Sequence, residues 1–220
     1  MTIKAIETEY NGYKFRSRLE ARWAVFFDNA RIKYDYEPEG FELSCGKYLP
    51  DFFLPDFDVY VEIKPFDKSI VSRVGDGNIW EQKCATFRDE TGHAILLCYD
   101  EPAADVYKLL FAFDTTDSSG GSGDFEAYFR EIKDKIYLVT LNTRRDRTIY
   151  TRDTFESNEI VLSLFDSFKI DETFAYRAYE GEKRQYDFFD KDGNDVLNIA
   201  RKAARQARFE HGETPVVAHE

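Results

Sequence analysis

The sequence contains few cysteines and histidines, and none of them is spaced as a metal site requires. The three cysteines, Cys45, Cys84 and Cys98, form no C-x-x-C pair, and the three histidines do not pair at any ligand spacing. The cysteine number and spacing support neither a disulfide framework nor a cysteine-based zinc site. They are typical of proteins in a reducing compartment, so we expect a cytoplasmic location.

Long apolar runs and nucleotide-binding motifs are also missing. No stretch is apolar over the length needed to cross a bilayer, and the first ten residues, MTIKAIETEY, contain no apolar signal-peptide core. The sequence has no P-loop, dinucleotide fingerprint or Gly-x-Ser-x-Gly motif. We therefore expect no membrane contact and no nucleotide cofactor.

Positive charge is scarce, since 30 lysines and arginines stand against 42 acids and give a net charge of -12. Taken alone, such a total argues against a DNA-binding role, because neutralising phosphates supplies much of the affinity for DNA. The basic residues nevertheless concentrate in two islands, which fit a local phosphate contact better than non-specific DNA binding, although solvated helix faces are the simpler explanation of them. The islands are Lys14, Arg16, Arg18 and Arg22 around Glu20, and Arg201, Lys202, Arg205 and Arg208 in the acid-free segment VLNIARKAARQARF.

The stretch DTTDSSGGSGD, residues 114–124, divides the chain. Its serine, glycine and aspartate cannot bury a side chain, so it predicts a flexible linker or a long loop. We expect a core over residues 1–113, an α+β extension ending in a basic helix over 125–210, and a tail over 211–220. The extension fits substrate recognition, dimerisation or added layers on the core, and the basic helix favours recognition.

Periodicity predicts the elements of the core. SRLEARWAVFFDNA has the spacing of an amphipathic helix, and NIWEQKCATFRDETG predicts a second helix that ends at Gly92. HAILLCY is typical of a buried parallel strand, whereas VYKLLFAF fits a strand or a helix.

Patterns in the extension are weaker. DFEAYFREIKDK predicts a helix, and IYLVTLNT with RTIYTRD predicts a hairpin. DKDGND lacks the spaced ligands and terminal glutamate of a calcium loop, so it indicates a turn.

The stretch YLPDFFLPDFDVYVEIKP places charged residues in a predicted hairpin. Proline and aspartate favour a turn at 55–58. Because alternate side chains of a strand share a face, Glu62 and Lys64 are expected to lie on one side of the second strand. Pairing through the turn brings Asp51 next to them.

Two carboxylates and an ammonium in this arrangement suit hard-cation chemistry. Carboxylate oxygens bind Mg²⁺, which acidifies a bound water and offsets charge on a phosphate. Lys64 would orient that water or stabilise the transition-state charge. The alternative is an ion pair of Glu62 and Lys64 at an exposed strand edge, but the spacing of Asp51 favours the first interpretation. Glu20 has a structural explanation of its own, because Ser17 and Glu20 make the S-x-x-E pattern of a helix capping box.

These residues resemble the PD-(D/E)XK nuclease superfamily. The matching pieces are Pro50-Asp51, Glu62-Ile63-Lys64 and the helical Glu20, in the order helix, three strands, helix, strand. The arrangement is similar to the cores of Holliday-junction resolvases and transposon-end nucleases. FRSRLEARWAVFFD, YLPDFFLPD, VEIKP and AARQARFEHGE further resemble a group of phage and actinobacterial proteins of similar size, a resemblance that implies no activity.

The resemblance implies an α/β fold with a restriction-endonuclease-like core, namely a helix, a three-strand antiparallel meander, a helix and a strand, followed by the α+β extension. It implies a Mg²⁺-dependent DNA endonuclease, with Mn²⁺ as a substitute and host cytoplasm as the location if a phage encodes it. A homodimer is expected if the substrate is a DNA junction. The alternative is a non-catalytic DNA- or partner-binding phage protein on the same fold.

Site residues are carried over from the same resemblance. Asp51, Glu62 and Glu20 would be metal ligands, and Lys64 a catalytic lysine. Gln82 occupies the region of a second-helix glutamine found in some members, but a helix-surface role explains it better. The candidate DNA contacts are Arg16, Arg18, Arg22, Lys83, Arg201, Arg205 and Arg208.

Overall fold

The structure, a computed structural model, describes residues 5–65, 79–102, 107–112, 122–132, 135–141, 147–150 and 196–209. The strands are β1 Thr8–Tyr10, β2 Tyr13–Phe15, β3 Asp35–Tyr36, β4 Phe41–Leu43, β5 Gly46–Tyr48, β6 Phe52–Leu54, β7 Val59–Lys64, β8 Ala94–Tyr99, β9 Tyr107–Ala112, β10 Ser122–Ile132, β11 Lys135–Leu141 and β12 Arg147–Tyr150. The helices in these described ranges are α1 Arg18–Asn29, α2 Ile79–Thr91 and α3 Val196–Gln206.

A mixed eight-stranded sheet forms the centre of the protein. Its strand order is β12-β11-β10-β9-β8-β7-β6-β3, and β1-β2 and β4-β5 form separate hairpins. β7 and β8 are parallel, whereas the other neighbours in this sheet are antiparallel. Parallel strands need a crossover, and α2 lies between these two in the chain. The expected α/β class and the parallel strand at HAILLCY are therefore confirmed.

The two central strands are buried on both faces, which explains their nearly continuous apolar sequences. On one face, Val59, Val61 and Ile63 of β7 pack in a core with α1 and α3. On the other face, Tyr60 packs in a smaller core with β4, β5 and α2. The predicted alternation along β7 is correct, and it directs Glu62 to the α2 side of the sheet.

Helix α1 is covered by the sheet on one side and by α3 on the other. Trp23, Phe26 and Phe27 are inaccessible to solvent. The α3 residues that reach this core include Ala200 and Ala204, whose small side chains allow close helix approach. Neither Trp23 nor this face of α1 is available to stack on a base, which confirms the expected core role of Trp23.

The prediction of a helix over DFEAYFREIKDK is wrong, because residues 122–132 form strand β10. β10 pairs with β9 on one side and with β11 on the other, so its backbone hydrogen bonds are satisfied between strands. Phe129 is buried against α1, and the period-two series Phe125, Ala127, Phe129 was the overlooked signal. Tyr107–Ala112, within VYKLLFAF, form strand β9, and the β11–β12 hairpin was predicted correctly.

The sheet continues across the expected linker. Strands β9 and β10 are neighbours in it, and Ser122–Asp124, the last part of the predicted linker, belong to β10. Helix α3 also packs on α1 from the far end of the chain. The division at 114–124 stays a prediction, as do the turn expected at DKDGND and the tail over 211–220, which lie outside the described residues. Among the helices described, none combines the length and apolarity that crossing a membrane requires.

Candidate functional site

The candidate site lies at the open end of the β6–β7 hairpin. Phe52 of β6 pairs with Val61 of β7 in antiparallel register, so the next residue along, Asp51, lies across from Glu62. The turn that sets this register covers residues 55–58, as predicted. Two carboxylates that are eleven positions apart in sequence therefore become neighbours.

Asp51 is buried and has a partner at each carboxylate oxygen. Its side chain is 2% exposed. The backbone N–H of Ile63 donates to Oδ2 over 2.7 Å, and Lys64 Nζ lies 3.4 Å from the same oxygen. Arg16 Nη2 donates to Oδ1 over 2.9 Å. Asp51 is thus held by a strand backbone and by two cations.

Glu62 is also buried, and its two oxygens contact different groups. Lys64 Nζ lies 2.5 Å from Oε1, and the hydroxyl of Tyr48 donates to Oε2 over 2.9 Å. Burial, with the nearby Cys84 thiol and Glu62, raises the pKa of Tyr48. Tyr48 is therefore a neutral O–H donor at physiological pH, and it fixes the orientation of the Glu62 carboxylate.

Lys64 lies between the two carboxylates. Its ammonium also donates to the Ile63 carbonyl over 3.0 Å and lies 4.7 Å from the centre of the Trp80 ring. Burial alone lowers the pKa of a lysine, but Asp51 and Glu62 outweigh burial and raise the pKa of Lys64. Lys64 is therefore charged and acts as an internal counterion in this arrangement.

The pKa of Asp51 is raised to about 7, from an ordinary value of 3.8. Burial is the largest cause, and repulsion from Glu62 comes next. Attraction to Lys64 and the hydrogen bond from the Ile63 N–H oppose the rise without cancelling it. A buried carboxylate whose charge is incompletely compensated favours any additional cation that can reach it.

Glu20 lies at the first turn of α1, on the helix that covers the other face of the sheet from Glu62. Ser17 Oγ donates to its Oε1 over 2.7 Å and accepts the Glu20 N–H over 3.1 Å. Its Oε2 accepts the Arg16 N–H over 3.1 Å and the Tyr36 hydroxyl over 2.7 Å. The predicted capping box is confirmed. Ser17 accepts the Glu20 N–H, and the Glu20 carboxylate accepts the N–H of Arg16, one residue before the cap residue Ser17.

The three expected metal ligands do not converge on one point. Within the part of the chain that the structure describes, no group of three or more His, Cys, Asp or Glu side chains is placed to hold a metal ion. The physical reason is visible in the contacts: Arg16 and Lys64 occupy oxygens of Asp51 and Glu62, and Glu20 is engaged by its helix cap. The donor set of Asp51 and Glu62 nevertheless suits Mg²⁺, which prefers carboxylate oxygens and binds through one or two of them.

The candidate DNA contacts divide into exposed and enclosed residues. Arg201 is 5% exposed, and its Nη1 donates to Asn198 Oδ1 over 3.1 Å. The structure thus encloses Arg201 instead of presenting it to a phosphate, because the buried face of α3 includes it. Arg205 is exposed on α3, and Arg208 is exposed two residues beyond the end of that helix.

Apart from Arg16, which lies between β2 and α1, the remaining candidate cations lie on α1 and α2. Arg22 pairs with Glu101 over 3.0 Å, and Arg18 is partly buried on the same helix. Lys83 lies over the Tyr48 ring at 4.9 Å, which places it on the same side of the sheet as Glu62. Gln82 is exposed on α2, as a helix-surface residue should be.

Sequence reasoning missed the roles of Tyr48 and Tyr36, which hold Glu62 and Glu20. Both tyrosines belong to short strands, β5 and β3, and reach the carboxylates only through tertiary packing. Arg16 was predicted as a DNA contact, and its ion pair with Asp51 was not expected. Comparison of the chain with protein-family models, with curated proteins and with solved structures finds no match.

Proposed function

We propose that the protein is a Mg²⁺-dependent DNA endonuclease that hydrolyses phosphodiester bonds. The observation behind this proposal is the buried pair of Asp51 and Glu62. Lys64 Nζ bridges the pair and lies 3.4 Å from Asp51 Oδ2 and 2.5 Å from Glu62 Oε1. Buried carboxylates are costly unless compensated, and the raised pKa of Asp51 indicates that two side-chain cations compensate it only in part. Such a site is suited to bind a divalent cation.

The order of elements around the pair supports the same proposal. Helix α1 precedes β3, β6 and β7, which are adjacent antiparallel strands of the sheet, and α2 then leads to the parallel strand β8. This is the order of a restriction-endonuclease-like core, with the β4–β5 hairpin inserted between its first two strands. We therefore propose a restriction-endonuclease-like core for this chain and membership of the PD-(D/E)XK superfamily.

Each residue has a role in the proposed reaction. Asp51 and Glu62 would hold the cation, which when bound acidifies water and offsets charge on the phosphate. Lys64, once released from the carboxylates, would orient the attacking water and stabilise the charge that develops on the phosphate oxygens. Tyr48 would keep the Glu62 carboxylate in its binding orientation. Glu20 supports the site through the cap of α1, and any contact with the cation would run through water.

The test is a cleavage panel with Mg²⁺ or Mn²⁺ on linear duplex, single strand, flap and four-way junction DNA. The wild type is expected to cut at least one of these substrates, and Lys64→Met is expected to lose activity by at least about 10²-fold, the usual scale for a group that stabilises transition-state charge. Lys33→Met is the matched control, since Lys33 pairs with Asp56 at the turn end of the hairpin over 3.6 Å. Equal cleavage by the wild type and Lys64→Met would contradict the mechanism.

A second candidate function follows from the same contacts. Because Arg16 and Lys64 already contact Asp51 and Glu62, the site is internally paired without a metal, as a non-catalytic DNA- or partner-binding protein would allow. The two candidates differ in metal dependence. The nuclease proposal expects DNA affinity to fall sharply when EDTA removes the divalent cation, since uncovered carboxylates repel phosphate. A DNA affinity that is unchanged in EDTA, together with no cleavage, would favour the binding protein.

A further inference from the structure

Arg16 has an unusual position, because it contacts two carboxylates from different elements and still reaches solvent. Its Nη2 donates to Asp51 Oδ1 over 2.9 Å, and its Nε forms an ion pair with Glu37. Its side chain is 52% exposed, whereas that of Asp51 is 2% exposed. The guanidinium therefore covers the solvent side of a buried carboxylate.

The ion pair with Glu37 gives Arg16 a second attachment at the rim of the site. Glu37 directly follows β3 and has a φ of 46°, and its N–H donates to the Asp51 carbonyl over 3.0 Å. A positive φ is uncommon for a residue with a side chain, so this bend is a specific feature of the chain. The Glu37 backbone is thereby held next to that of Asp51, and the Glu37 carboxylate contacts Arg16 separately from the Asp51 carboxylate.

A divalent cation on Asp51 cannot leave these contacts unchanged. Asp51 Oδ2 already accepts the Ile63 N–H and faces Lys64, so Oδ1 is the oxygen left for a cation. Arg16 covers this oxygen. A cation bound at Oδ1 would take the place of the guanidinium, and like charges would repel Arg16 toward solvent. The contact with Glu37 would keep the displaced guanidinium at the rim, with its other N–H groups free to bind an anion.

We propose that Arg16 and the divalent cation compete for Asp51, and that the displaced Arg16, held by Glu37, binds the substrate phosphate. This inference rests on the proposed function. Metal binding and phosphate binding are then linked through one side chain: the metal-free protein keeps Arg16 on Asp51, and the metal-loaded protein presents it to DNA. Arginine suits both states, because its forked donors match a carboxylate and a phosphate alike.

The first measurement is Mg²⁺ affinity by calorimetry for the wild type, Arg16→Met and Lys14→Met. Arg16→Met is expected to bind Mg²⁺ about tenfold more tightly, because it removes a competing positive charge from the binding oxygen. Lys14→Met is the matched control, since it removes one cation two residues away that pairs with the exposed Glu7 over 2.6 Å. Its Mg²⁺ affinity should equal that of the wild type.

The second measurement is DNA affinity in saturating Mg²⁺, in a Lys64→Met background that prevents cleavage. Arg16→Met is expected to bind DNA roughly tenfold more weakly, since it loses one charge-assisted phosphate contact. A purely structural role for Arg16 would not strengthen Mg²⁺ binding while weakening DNA binding. If Arg16→Met fails to fold, Arg16→Lys replaces it, because one ammonium cannot contact Asp51 and Glu37 as the fork does, and a smaller gain in Mg²⁺ affinity is expected.

The outcomes separate this inference from the proposed function. If the wild type binds no Mg²⁺ and cleaves none of the substrates, the proposed function is lost. If the wild type binds Mg²⁺ and Arg16→Met binds it no more tightly, the competition is refuted while the nuclease proposal stands. If Mg²⁺ affinity rises and DNA affinity is unchanged, Arg16 does not bind the phosphate and the inference is overturned.

Discussion

Replacing Asp51 with asparagine is expected to stabilise the metal-free protein at neutral and alkaline pH. The pKa of Asp51 is raised from 3.8 to about 7 by burial and by Glu62, so the native state binds this proton more strongly than the unfolded chain does. Stability then falls as pH rises, because the slope of the unfolding free energy has the sign of protons bound in the unfolded state minus those bound in the native state.

The size of the effect follows from the shift. Below the unfolded-state pKa of 3.8, Asp51 is protonated in both states and does not lower the unfolding free energy. Between 3.8 and about 7 the unfolding free energy falls by about 1.4 kcal/mol per pH unit, and above that range the full cost is about 4 kcal/mol. Asparagine removes this cost but turns an amide N–H toward Arg16 or Lys64. We therefore expect Asp51→Asn to gain about 2–4 kcal/mol at pH 8, and about 2 kcal/mol less than that at pH 5.5.

Urea unfolding in EDTA, followed by tryptophan fluorescence from pH 5.5 to 8.5, measures this difference. Asp56→Asn is the matched control, because Asp56 lies in the exposed turn of the same hairpin, and its stability should follow the wild type at every pH. Mg²⁺ should narrow the gap by stabilising the wild type alone. A difference between wild type and Asp51→Asn that does not change with pH would refute the reasoning, as would a less stable Asp51→Asn at pH 8.

Three further substitutions test other contacts. Tyr48→Phe removes the hydroxyl that holds Glu62 and should weaken Mg²⁺ binding about 10–100-fold in calorimetry; Tyr60→Phe, whose hydroxyl contacts Glu39 instead, should not. Ser17→Ala removes the cap of α1 and should lower the unfolding free energy by about 1 kcal/mol in urea, and no loss would contradict the cap. Phe129→Ala should lower the unfolding free energy by about 3–5 kcal/mol in the same assay if β10 packs in the core with α1. A decrease below about 1 kcal/mol would contradict that packing.

The site was predictable because its central contacts are local in sequence. A four-residue turn fixes the register of β6 and β7, and period-two alternation then determines which side chains share a face with Glu62. The capping pattern of Ser17 and Glu20 is likewise local. These features need no knowledge of distant chain segments, so the adjacency of Asp51, Glu62 and Lys64 follows from eighteen residues, 48–65.

Contacts that depend on the whole sheet were not predictable in the same way. Residues 122–132 contain residues that favour a helix, yet β9 and β11 lie on both sides of them and supply a hydrogen-bonding partner for a strand. Pairing of this kind overrides weak local preference. Tyr48 and Arg16 were overlooked as partners of the carboxylates for a related reason, because Tyr48 reaches Glu62 from the β4–β5 hairpin and Arg16 reaches Asp51 from the segment between β2 and α1.

Glu20 illustrates how one residue can satisfy two explanations. An ionised carboxylate has about four acceptor sites, and three of those of Glu20 accept bonds from Ser17, Arg16 and Tyr36. The cap therefore uses most of its hydrogen-bonding capacity, which explains why Glu20 can be buried on α1 without a metal. Yet its charge contributes to raising the pKa of Asp51, so the cap also adds negative potential at the oxygen where a cation would bind. Glu20 can thus strengthen cation binding through its field alone, without being a ligand.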